Sequence, residues 1–100
     1  MPVQVQSLDN GATVKISPTG RFDFNAHREF RDAYQGKSPT LQYLVDLRGT
    51  EYMDSSALGM LLLLREHAGG DKAKIRITNA RTEIRSILSV ANFEKMFVIE

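Results

Sequence analysis

The sequence predicts an α/β fold: a mainly parallel sheet with an N-terminal β-hairpin and helices packed on the sheet. Three observations carry this. Apolar and polar residues alternate on both sides of the turn Asp9-Asn10-Gly11, which marks two antiparallel strands with one buried face. Beyond the hairpin, short apolar segments alternate with helix-length amphipathic ones, and parallel strands need such crossovers. Finally, Tyr43-Leu44-Val45-Asp46-Leu47 is nearly continuous in apolar residues, as strands buried on both faces are.

Val3 to Gln6 forms the first strand, and Val14 and Ile16 alternate with Thr13, Lys15 and Ser17 in the second; Pro18 and Gly20 end it. Asn25 can cap a helix running to Tyr34, with Ala26, Phe30, Ala33 and Tyr34 on one face and Gly36 just beyond its end. The Tyr43–Leu47 strand follows. Asp54, Ser55 and Ser56 offer several N-caps for a helix to about Ala68, closed by Gly69-Gly70. Ile75 and Ile77 mark another strand, and Ile84, Ile87, Leu88 and Ala91 a third helix. Met96 to Ile99 reads as a last short strand. The expected order is ββαβαβαβ in one domain spanning residues 1–100.

Composition excludes several classes. A net charge of +1 with 25% charged residues gives no nucleic-acid or membrane-surface footprint. The absence of cysteine removes disulfides, thiol nucleophiles and thiolate metal sites. The longest apolar run, Met60 to Leu64, is far short of the roughly 20 residues that cross a bilayer. Met1 to Ser7 has no basic n-region or apolar h-region, so a cytoplasmic protein without membrane insertion is expected.

Residues 44 to 64 hold the most information. Met60 to Leu64 sweeps more than a full turn at about 100° per residue, so the second helix is apolar on every side. Such a helix is either a central packed element or keeps an apolar side for a partner protein. At its start, two hydroxyls sit beside a carboxylate. Asp and Ser are preferred N-caps, worth about 1 kcal/mol. The same position suits a phosphate, which finds backbone N–H groups and a positive dipole end there, although Asp54 opposes it by like charge. Local chemistry leaves both roles open.

Val45-Asp46-Leu47 followed by Tyr52-Met53-Asp54-Ser55-Ser56-Ala57-Leu58-Gly59 resembles the signature of bacterial STAS-domain anti-sigma-factor antagonists, whose DSSGLG or DSTGLG loop opens the second helix. Gly20-Arg21-Phe22-Asp23 resembles the G-x-[LF]-D segment before the first helix of that family. The resemblance implies a STAS-like fold and a partner-switching function. The unphosphorylated protein binds a serine-kinase anti-sigma factor or related regulator and releases what that regulator held. Phosphorylation ends the complex, and a PP2C-like phosphatase restores it. It implies Ser55 as phosphoacceptor, with Ser56 as second choice. Asp54 would shape the loop, and Asp23 would lie near the same partner-binding surface with Ser56, Ala57 and Met60. No catalytic residue, metal or cofactor of its own is implied. Two departures stand out: Ala57 replaces the usual glycine, and no extra C-terminal helix follows the last strand. The latter is expected to leave the sheet or second helix less covered and to favour a homodimer.

Other readings compete. His27 and His67 lack metal or Ser-His-Asp spacing and read as surface residues on their helices. Asp23, Asp46 and Asp54 suggest a receiver phosphorylated on aspartate, but receivers open with a βα unit and need a lysine at a late strand end. A STAS subunit of a membrane lipid-transport complex, or a ligand-binding module, keeps the fold and changes the function. Arg81 and Arg85 are interrupted by Glu83, so DNA binding is not indicated.

Overall fold

The computed structural model describes residues 2–100. Strands β1 (Val3–Leu8) and β2 (Thr13–Pro18) form the expected hairpin, paired antiparallel from Val3–Pro18 to Leu8–Thr13. Asp9, Asn10 and Gly11 all take positive φ in the turn between them, a conformation that Asp and Asn tolerate and Gly adopts freely. The chain continues through β3 (Gly20–Phe22), α1 (His27–Tyr34), β4 (Gln42–Asp46), β5 (Thr50–Met53) and α2 (Ser55–His67). It ends with β6 (Ile75–Thr78), α3 (Thr82–Val90) and β7 (Val98–Ile99).

The main sheet has the order β1-β2-β4-β6-β7, parallel except for the hairpin. Register aligns Val14, Tyr43 and Ile75 in one row and Ile16, Val45 and Ile77 in the next. All six are at most 3% exposed and meet Phe30, Leu61, Leu64 and Leu88 in a single core. The intervening residues Lys15, Leu44 and Arg76 lie on the other face and are only half-buried. There Lys15 pairs with Asp46 at 3.4 Å.

The structure adds two strands to the predicted order. β3 and β5 pair in parallel as a separate ribbon, with Arg21 beside Tyr52 and Phe22 beside Met53. Three or four residues are too few for alternation to announce a strand. Tertiary contacts hold this ribbon instead: Gly20 N–H donates to the Gly49 carbonyl at 2.8 Å, and the buried Thr50 hydroxyl donates to the Pro18 carbonyl at 2.7 Å. A Cβ on Gly49 would lie 3.0 Å from Thr19 Cγ2, so glycine permits the close approach. Phe22 and Met53 anchor the ribbon in the core.

Three sequence expectations are corrected. Asn25 does not cap the first helix; Asp23 caps a 3-10 turn over Phe24–Ala26 that leads into α1, and Asn25 N–H is its donor at 3.1 Å. The last strand is only Val98–Ile99, because Phe93–Lys95 makes a further 3-10 turn and Phe93 and Phe97 stack at 5.1 Å. His67 is half-buried rather than a free surface group. Its Nε2–H donates to the Lys37 carbonyl at 2.9 Å, and its ring packs 5.0 Å from Tyr34.

Candidate functional site

The ribbon places two aspartates side by side. Phe22 and Met53 are in register, so Asp23 and Asp54 each follow directly at the ends of adjacent strands. Both have extended backbone, with φ −129° and ψ −169° at Asp23 and φ −126° and ψ −172° at Asp54. Each then caps the helical turn that follows it. Asp54 Oδ1 accepts from Ser56 N–H at 3.0 Å, from Ala57 N–H at 3.4 Å and from the Ser56 hydroxyl at 2.5 Å. Of the several caps the sequence offered, the fold selects Asp54, because the strand delivers it in the extended conformation an N-cap needs.

That arrangement separates the two serines. The Ser56 hydroxyl is half-buried and committed to Asp54. Ser55 is exposed, and among the described residues its hydroxyl has no hydrogen-bond partner. The hydrogen bond from Ser56, then those from the Ala57 and Ser56 amides and the nearby positive charge of Arg21, outweigh partial desolvation and hold the Asp54 carboxyl below its ordinary range. Asp54 is therefore ionised at neutral pH.

Arg21 and Tyr52 belong to the two sequence motifs, where nothing in the linear pattern gives them a role. The structure stacks the Arg21 guanidinium 3.9 Å over the Tyr52 ring and joins its Nε to Asp23 at 3.2 Å. No linear signal marks this pair, which exists only through the β3–β5 register. Phe24 is 64% exposed and stacks on His27 at 4.3 Å. Arg21, Phe24, Tyr52 and Ser55 are thus all exposed in or just beyond the paired strands β3 and β5, aromatic and guanidinium groups of the kind enriched in protein interfaces.

Two residues expected on this surface are elsewhere. Ala57 is 0% and Met60 6% exposed, both turned into the core. They follow the helix period of the buried Leu61 and Leu64, which fixes their direction inward. The outer side of α2 instead carries Gly59, Leu62 and Leu63, the two leucines 38% and 60% exposed. A helix apolar on all sides therefore buries one face and leaves another uncovered.

Asp46 is tied to its own strand end. Burial pushes its carboxyl up, but hydrogen bonds from Asn79, the Arg48 amide and Lys15 more than offset this and hold it low. Among the described residues no three His, Asp or Glu side chains gather as a metal site, so Asp23, Asp46 and Asp54 do not form a receiver-type acidic cluster. No described helix is long and apolar enough to cross a membrane.

A family model described as "Mlab, STAS domain" matches residues 4–100. A STAS-domain containing protein of Pseudomonas aeruginosa (strain UCBPP-PA14) is 54% identical over 91 residues, 90% of each chain. Among solved structures, a Thermotoga maritima protein shares the fold with a TM-score of 0.81 at 14% identity, over 97% of this chain and 84% of its own. The anti-sigma factor antagonist SpoIIAA matches in its unphosphorylated form with a TM-score of 0.71 at 18% identity, over 98% of this chain and 86% of that one. The phosphorylated form, from Bacillus, gives 0.72 at 17% identity, over 98% and 90%. With a family match that runs from residue 4 to the last residue and a relative more than half identical, this chain belongs to the STAS domain family.

Proposed function

We propose that this protein is a phosphorylation-gated antagonist whose switch is the Ser55 hydroxyl. Without phosphate it docks a serine-kinase anti-sigma factor or related regulator through the Arg21, Asp23, Phe24, Tyr52 and Ser55 surface. Phosphorylation of Ser55 breaks that complex, and a PP2C-like phosphatase resets it. The observation that supports this reading is the division of labour between the serines: Ser56 completes the Asp54 cap, while Ser55 stands exposed and unengaged. The likeness to SpoIIAA, a protein solved with and without phosphate, points the same way.

The energetics fit a gate. A phosphate carries about −1.5 to −2 charges, next to an ionised Asp54. Enclosed in an interface without a counter-ion, it costs several kcal/mol. A micromolar complex is worth about 8 kcal/mol, and each 1.4 kcal/mol lost is tenfold in affinity, so the charge suffices to dissociate it. The helix needs no unfolding for this.

Intact-mass analysis and phosphopeptide mapping of protein isolated from its host test the proposal. One added phosphate is expected in the native chain and in Ser56→Ala, and none in Ser55→Ala. Ser55→Asp releases a regulator that Ser55→Ala retains. Persistence of the phosphate in Ser55→Ala, or equal retention by both variants, rejects Ser55 as the gate.

A second reading, a STAS subunit of a membrane lipid-transport complex, is favoured by the uncovered Leu62 and Leu63, an apolar side of α2 open to a protein partner. Co-purification with a transporter ATPase instead of a kinase-like regulator selects it.

A further inference from the structure

Strand β1 forms one end of the main sheet. Pro2 and Thr19 extend the β1–β2 register, and the Pro2 carbonyl accepts from Thr19 N–H at 2.7 Å. Backbone groups alternate along an antiparallel strand. Gln4, Gln6 and Leu8 therefore direct N–H and C=O toward β2, while Val3, Val5 and Ser7 direct theirs out of the sheet. β1 lies at the end of the sheet order, so among the described residues these groups meet no strand.

Natural edges are guarded by charge, proline, bulges or brevity. β7, at the other end, is two residues long, and the next residue, Glu100, lies 3.9 Å from Arg76. β1 has only Pro2 at its start among these protections, and Pro2 faces β2. It runs for six residues, Val3-Gln4-Val5-Gln6-Ser7-Leu8, without a charge or an internal proline, and its register with β2 has no bulge.

We infer that β1 is a homodimerisation strand that pairs antiparallel with β1 of a second copy about a two-fold axis at Val5. In that register Val5 faces Val5 of the partner subunit, and Val3 faces the partner's Ser7. Every outward N–H and C=O of the three residues gains a partner. Gln4 lies opposite the partner's Gln6, two amides able to bond each other, and no like charges meet across the axis. Val5, 46% exposed in the single chain, also continues the buried row Ile16–Val45–Ile77, its register partner being Ile16. Pairing covers that exposed end with its own twin. Self-complementarity selects a second copy over a foreign strand, and the two five-stranded sheets become one. The interface uses no residue of the Asp54–Ser55 turn, so this inference and the phosphorylation gate stand or fall separately.

Sedimentation equilibrium of the full chain, from micromolar to millimolar concentration, tests the pairing. Val5→Pro deletes an outward N–H but no bond to β2, so β1 stays in its sheet; Val5→Lys places two like charges on the axis if proline proves disruptive. The native chain is expected to show a monomer–dimer equilibrium, and either variant to weaken it at least about tenfold. Amide hydrogen exchange supplies the second readout. Val3, Val5 and Ser7 gain protection as concentration rises, while Gln4 and Gln6 are protected throughout. A chain that stays monomeric at millimolar concentration overturns the inference. So does a dimer that both variants preserve, or one that leaves the Val3, Val5 and Ser7 amides unprotected.

Discussion

Replacing Asp54 by alanine tests the structural root of the switch without involving any partner. One carboxylate oxygen of Asp54 receives two backbone amides and the Ser56 hydroxyl. Alanine removes the acceptor. A lost N-cap costs about 1 kcal/mol, within about 0.5–2, and the lost negative charge at a helix N-terminus adds about 0.3–1 kcal/mol. The Ser56 hydroxyl is half-buried and turns to water, so it adds little. Asp54→Ala should therefore lower stability by about 1–2 kcal/mol, or roughly 4–8 °C in Tm for each kcal/mol in a domain of this size. Asn keeps an acceptor oxygen at the same place and ranks with Asp as an N-cap but carries no charge, so Asp54→Asn should cost only the lost charge, about 0.3–1 kcal/mol. Urea unfolding followed by far-UV circular dichroism measures both, with an unchanged m-value confirming that the denatured state is not the cause. Equal losses in the two variants, or a loss below about 0.3 kcal/mol in Asp54→Ala, would show that this cap does not stabilise α2.

Further outcomes follow from the same geometry. Leu61→Ala, at a fully buried position, should cost about 2–5 kcal/mol, whereas Leu63→Ala, 60% exposed, should stay within about 0.5 kcal/mol; parallel denaturation curves separate them. Thr50→Val leaves the Pro18 carbonyl without its buried donor and should cost about 1–3 kcal/mol, seen also as faster amide exchange at Gly20 and Arg21. Both Asp46 and Asp54 have carboxyls held below the ordinary value of 3.8. Their contribution is fully present above that value and is lost as pH falls through the lower folded ones. Acid titration of stability should therefore slope downward below about pH 4, less steeply in Asp46→Asn.

Periodicity alone determined the hairpin, the alternating strands and helices and the parallel sheet, since apolar spacing of two or about 3.6 residues directly reports which face is buried. It also placed the Asp54-Ser55-Ser56 cluster at a helix start, because side-chain capping is a local interaction. Tertiary structure decided the rest. The β3–β5 ribbon is too short to carry a period, and only its register sets Arg21 on Tyr52 and Asp23 beside Asp54. Five successive apolar residues cannot declare which way they point; packing turned Met60, Leu61 and Leu64 inward and left Leu62 and Leu63 outside. Adjacent serines are chemically equal in a linear chain. A strand that delivers Asp54 in cap geometry engages one hydroxyl and leaves the other to solvent.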